Sequence, residues 1–228
     1  MPLLCAAVLL LTLPATAQFL PQLQARTPAE FDAYLDVLEA APAQQEALAR
    51  SFLRQYADSD LRLPVLEVIA KASRNRGDAA AARQAAIDGL QLAPEYIPLL
   101  TLLAAVDANT TARPDGRAAT EALRLLDQAR APRSMDAETW RHALALLRAE
   151  NLVTLAIVAF KSGQLHEAVR RLEESLRWEP APAAQYRLAL LYLERKRTAE
   201  ARTLLEKVAA SADPALAARA RDVLTRTQ

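Results

Sequence analysis

Two stretches of the chain, 86 residues apart, carry the same residue types at the same offsets from a glycine. Around Gly77 stand Leu66, Ile69, Ala70, Ala82, Ala86, Gly89 and Pro94. Around Gly163 stand Leu152, Leu155, Ala156, Ala168, Leu172, Ser175 and Pro180. An apolar stripe with an alanine where a neighbour must come close reads as one helix, and glycine ends it in a left-handed cap. The small and apolar positions that follow are the buried stripe of a second helix, and proline blocks its continuation. Such a helix pair cannot cover its own apolar face, so it must stack on another.

Further copies extend the pattern. Leu100, Leu103 and Ala104 lie 34 residues beyond Leu66, Ile69 and Ala70, and Tyr186, Ala189 and Leu190 lie 34 beyond Leu152, Leu155 and Ala156. Ala122, Leu126 and Ala129, then Ala201, Leu205 and Val208, repeat the second-helix stripe. Eighteen residues in excess of two 34-residue periods fall in the insertions Asn109–Gly116 and Ala131–Asp136 and in a lengthened helix. Composition agrees: 4 Gly and 5% aromatic residues leave too little for the turns and strands of a β protein. Helices are predicted over 28–40, 43–57, 62–76, 79–92, 95–107, 116–130, 136–161, 164–178, 182–195, 198–210 and 213–226. Asp136 is placed to cap the long helix, and Ser211 or Asp213 to cap the last, with Pro214 in its first turn.

On these residues the chain resembles the tetratricopeptide repeat family, whose 34-residue helix-turn-helix has small residues and a closing proline at the same offsets. The resemblance implies an all-α fold: a right-handed α-α superhelix of antiparallel pairs sharing one apolar seam. The best repeats are about 63–96 and 149–182, with degenerate ones about 28–62, 97–130 and 183–214, and a capping helix over 213–226. The family's first-helix Trp and Tyr are replaced by Leu66 or Leu152 and by Ser73 or Ala159. Phe52 to Ser59 (FLRQYADS) is similar to a turn of bacterial cell-envelope repeat proteins, with Ala57 where proline is usual.

The first 25 residues carry no charge, and Leu3 to Leu13 are apolar apart from Thr12. Eleven residues are too short to span a bilayer, and Ala15-Thr16-Ala17 suits a signal cut after Ala17. This predicts a signal at 1–17, a repeat domain over 18–228, and a periplasmic or secreted protein. The departure from the signal pattern is that no Lys or Arg precedes the apolar run; the alternative is a cytoplasmic or membrane-tethered scaffold with an uncleaved anchor. The one cysteine, Cys5, falls inside this segment near its start, unlike a lipoprotein cysteine. The mature chain would then have no disulfide.

Catalytic chemistry has little to stand on. His142 and His166 fall on different repeats, no glycine-rich phosphate loop follows a strand, and the carboxylates sit among basic neighbours. The reading is a non-enzymatic scaffold with no cofactor, metal or small-molecule substrate; a hydrolase on an α/α scaffold would need an acidic pair facing a deep cavity. Nucleic acid lacks the dense basic face and aromatic stackers it needs. Charge is uneven: residues 18–110 have 8 basic and 12 acidic groups (−4), and 161–228 have 13 and 9 (+4).

The family resemblance implies a protein or peptide partner on a concave face lined by the first helix of each pair. Its outward positions are Glu67, Lys71 and Arg74, then Val153, Ile157 and Phe160, then Arg187, Leu191 and Glu194. Val153 and Phe160 are read first as core residues, with the floor of an apolar trough for a partner segment as the alternative. Chaperone-binding members of the family clamp a peptide carboxylate with Lys and Asn on these helices. Here the matching positions hold Glu67, Lys71, Val153 and Ile157, so that clamp is not carried over.

Overall fold

The structure is a computed structural model and describes residues 24–131 and 135–227. The predicted signal, with Cys5 and the cut after Ala17, lies outside the described residues, as does part of the insertion after Ala131.

Among the described residues there are eleven helices and no strand. They are α1 (Pro28–Glu39), α2 (Pro42–Gln55), α3 (Arg62–Asn75), α4 (Ala79–Leu92), α5 (Ile97–Thr110), α6 (Arg117–Gln128), α7 (Ala137–Lys161), α8 (Leu165–Trp178), α9 (Pro182–Glu194), α10 (Thr198–Ala209) and α11 (Pro214–Arg226). Local chemistry sets most of the starts. Pro28, Pro42, Pro98, Pro182 and Pro214 occupy first or second helical positions, where the missing N–H costs nothing. Thr27, Asp78, Asp136 and Asp213 accept hydrogen bonds from orphan backbone amides of the helices they precede. Asp213, not Ser211, caps α11.

Each helix packs on its chain neighbour, and odd-numbered helices also meet one another (α3 with α5, α5 with α7, α9 with α11). This is the expected stack of helix pairs. Its second-helix stripes are buried as the spacing requires: Ala82, Ala86, Ala122, Ala168, Ala201 and Leu205 are all shut off from solvent.

Two expectations need correction. The apolar seam is not one continuous cluster but three. Val37, Phe52, Leu63, Ile69, Ala82 and Leu99 belong to an N-terminal cluster, and Ala156, Leu172, Leu188 and Leu205 to a C-terminal one. Between them sit Ile97, Leu100, Ala122, Leu125 and Leu126, with Leu144 and Leu147 packed on. The break between the middle and C-terminal clusters coincides with the buried polar side chains Thr101, Asn151 and Thr154, where α5 meets α7.

The second correction concerns α9. Its buried residues are Ala184, Leu188, Ala189, Leu191 and Tyr192, while Tyr186 and Leu190 are only half-buried. The reason is a repeat one residue short. The turn after α9 centres on Lys196, with φ of 61°, and lies 33 residues after Gly163 (φ 75°). Gly77, Gly163 and Lys196 close the same loop of hydrogen bonds. The next residue's N–H reaches back to Ser73, Ala159 and Tyr192 O at 2.9, 2.8 and 2.8 Å respectively.

The 25-residue α7 ties the clusters together, since Leu144 and Leu147 join the middle one and Ala156 and Ala159 the last. It is long and apolar enough to cross a membrane, yet here it packs against α5, α6 and α8.

Candidate functional site: the inner trough

Arg74 on α3 and Glu150 on α7 are 76 residues apart in sequence, yet Nη1 donates to Oε1 at 2.7 Å. Since α5 lies between α3 and α7, this bond is possible only where the odd-numbered helices curve inward over a concave face. Along that face run three adjoining hollows of about 280, 360 and 300 Å³. Arg74 and Glu150 form the sill between the first two. Asn109, Ile157 and Arg187 lie between the second and third.

All nine sequence-predicted residues line these hollows. Glu67, Lys71 and Arg74 face the first; Arg74, Val153, Ile157 and Arg187 the second; Ile157, Phe160, Arg187, Leu191 and Glu194 the third. Their exposure differs from the uniform outward set expected. Leu191 is a core residue, 7% exposed, because the missing residue between Gly163 and Lys196 rotates α9 by one position. Glu67 is largely covered, accepting a hydrogen bond from the Tyr96 hydroxyl and pairing with Lys71. Burial, together with the neighbouring Glu67 carboxylate, pushes the Tyr96 hydroxyl far above the usual tyrosine range. Val153 and Ile157 are half-buried and Phe160 is exposed, so this stripe is trough floor rather than sealed core.

Charges in the trough are mostly committed. Lys71 pairs with Glu67, Arg74 with Glu150, and Lys161 Nζ donates to Thr111 O at 2.9 Å. Arg187 and Glu194 make no ion pair or hydrogen bond among the described residues. His142 and His166 are exposed on α7 and α8, away from the trough lining. No group of three or more metal-ligating side chains exists among the described residues.

Beyond the nine expected residues, α5 and the first half of α7 also face the trough. Pro98, Leu102, Ala105 and Asn109 line the trough, as do Ala143, Leu146 and Glu150. The signal for one was present: 34 residues beyond Lys71 is Ala105. For Leu146 and Glu150 it was the helical continuation of Val153 toward the N-terminus of α7.

A stack of helix pairs with a lined inner face is a helical-repeat fold. Residues 159–224, from the end of α7 into α11, match the tetratricopeptide repeat family. Solved structures show the same fold over nearly the whole chain. A thermophilic TPR protein of Thermus thermophilus is 18% identical, covering 86% of this chain and 99% of its own, with a TM-score of 0.58. MamA of Desulfovibrio magneticus RS-1, residues 41 to the end, is 15% identical, covering 90% and 99%, with a TM-score of 0.53. No curated protein matches the chain.

Proposed function

We propose that the protein is a non-enzymatic scaffold, exported to a bacterial cell envelope, that holds a segment of a protein partner in the inner trough. The observation carrying this is the convergence of four helices on three adjoining hollows, two of them floored by the apolar Val153, Ile157 and Phe160. Monomeric soluble proteins keep few such faces without a use for them. Export rests on the uncharged, apolar first residues and the Ala15-Thr16-Ala17 tripeptide.

A photo-crosslinking residue at Phe160 or Lys71 should capture one discrete partner from envelope extracts. The same residue at Arg170, on the outer helix α8, should not. Equal capture from all three positions would displace the trough as the binding face. Reversal of Lys71, Arg74 and Arg187 to Glu should reduce partner recovery. N-terminal sequencing of the native protein decides the location: a start at Gln18 supports export, and a retained Met1 supports a membrane-tethered scaffold.

A further inference from the structure

The first and last helices of the stack finish their outer faces differently. α11 buries Ala217 and Ala220 and leaves Ala215, Ala218, Arg219 and Arg226 exposed, the polar outer face that a helix stack needs where it stops. α1 buries Glu30 and Val37 but carries Phe31, Leu35 and Leu38 at 4-3 spacing along another face. Phe31 and Leu38 are 48% and 45% exposed, and Leu35 is half-buried. Among the described residues, three of the seven exposed large apolar side chains (Phe31, Leu38 and Leu48) belong to the α1–α2 pair, and none of the three lines the trough. The first helix pair is therefore unfinished on a side that the last helix is not.

Charge indicates what covers it. One position beyond each stripe residue stand Asp32, Asp36 and Glu39, all exposed and none paired with a described residue. No Lys or Arg occurs between Arg26 and Arg50 to balance them. On α11 the balance is reversed, with Arg219, Arg221 and Arg226 against Asp222 alone. Arg226 pairs with Asp222 and Arg221 donates to Ala209 O at 2.9 Å, while Arg219 has no partner among the described residues. Spacing matches too: Asp32 and Glu39 are seven residues apart, about 10 Å of helix, and so are Arg219 and Arg226.

We infer that a second copy of this chain docks head to tail, laying the Phe31, Leu35 and Leu38 stripe of α1 on the α11 face of its neighbour. Ala215 and Ala218 let the two helix axes come close, and Asp32, Asp36 and Glu39 meet the α11 arginines. A helix stack suits this contact because each pair already receives the next on a like surface. Two α1 faces brought together would instead set three unpaired carboxylates against three. The contact is heterologous, so every docked copy still offers one free end of each kind, and assembly runs past the dimer to a ring or a filament.

Sedimentation velocity of the protein expressed from its whole coding sequence tests this. As concentration rises about a hundredfold, the wild-type particle should grow from one copy to more than two. Phe31→Glu should raise the concentration needed for growth at least about tenfold, with circular dichroism showing the fold intact. Two charge variants supply the decisive arm. One combines Asp32→Lys with Asp36→Lys, the other Arg219→Glu with Arg226→Glu. Each alone should stay monomeric, because its two ends then carry like charge, and an equimolar mixture should regain growth past two copies. A wild-type particle that remains monomeric, or stops at two copies, overturns head-to-tail docking. Growth that Phe31→Glu leaves unchanged, or a mixture that does not recover, overturns the pairing of α1 with α11. The trough reading is untouched by any of these results, since none of the substituted residues lines it.

Discussion

Asn151 on α7 donates from Nδ2 to Thr101 Oγ1 on α5 at 2.7 Å, and both side chains are sealed from solvent. The same nitrogen also donates to Leu147 O at 2.8 Å, so both of its hydrogens are used. This contact sits where the apolar seam divides, and it fixes how the long helix registers against the N-terminal half. Asn151→Ala should destabilise the fold by about 2 kcal/mol, combining a cavity with a broken buried bond. A double-mutant cycle with Thr101→Val should show coupling of roughly 1 kcal/mol, read from urea unfolding midpoints. Additive effects would mean that the two side chains act separately.

Lys196 holds the left-handed conformation that Gly77 and Gly163 hold in the other two turns. A side chain in that region costs about 1 kcal/mol that glycine avoids. Lys196→Gly should therefore raise stability by about 1 kcal/mol, and Gly163→Ala should lower it by a similar amount. Thermal melts of the two single variants check the opposite signs.

Gly89 is a helical glycine for reasons of space. A Cβ added there would collide with Leu99 Cδ1 and lie 3.6 Å from Leu63 Cδ1 and Leu66 Cβ. Those three leucines are themselves buried, so the displaced methyl has nowhere to go. Gly89→Ala should cost about 1–3 kcal/mol from overpacking, outweighing the roughly 0.5–1 kcal/mol that alanine adds to a helix. In the second good repeat the equivalent Ser175 is admitted because its Oγ donates to Ala149 O at 3.0 Å.

Glu46 on α2 reaches Arg76, just past α3, and Arg50 one turn along its own helix. The hydrogen bond from Arg76 is the main cause, helped by Arg50 against the cost of burial, and it brings the carboxyl from 4.5 to about 2. A folded pKa below the unfolded one means the folded state holds fewer protons in that window. The stabilisation is thus complete above about 4.5 and disappears as pH falls toward 2. Glu46→Gln should be less stable than wild type by up to about 1 kcal/mol at neutral pH, since both arginines are about half exposed. The two proteins should converge near pH 2 in denaturant titrations.

Helix order, the two glycine turns, the capping by Asp136, and the buried stripe Ala82, Ala86, Ala168 and Leu172 were legible in the sequence, whereas the choice of Asp213 over Ser211 as the last cap was not. Each legible feature is local: a helix stripe repeats every three or four residues, and a cap acts within one turn. The trough was half legible. The inner faces of α3, α7 and α9 follow from register, but the one-residue deletion before Lys196 leaves no mark in composition, and it moved Leu191 into the core. The Arg74–Glu150 bridge and the Asn151–Thr101 bond join residues 76 and 50 apart, which no periodicity brings together.

The amino-acid order by itself thus settled that this chain forms stacked helix pairs, because burying a 3.6-residue stripe beside a small-residue crossing has few solutions. Only the tertiary structure decided that the inner face is a half-open apolar trough in which Arg187 and Glu194 have no partner among the described residues. Superhelix curvature is the sum of small packing angles at each interface, and those depend on side chains meeting across helices rather than along them.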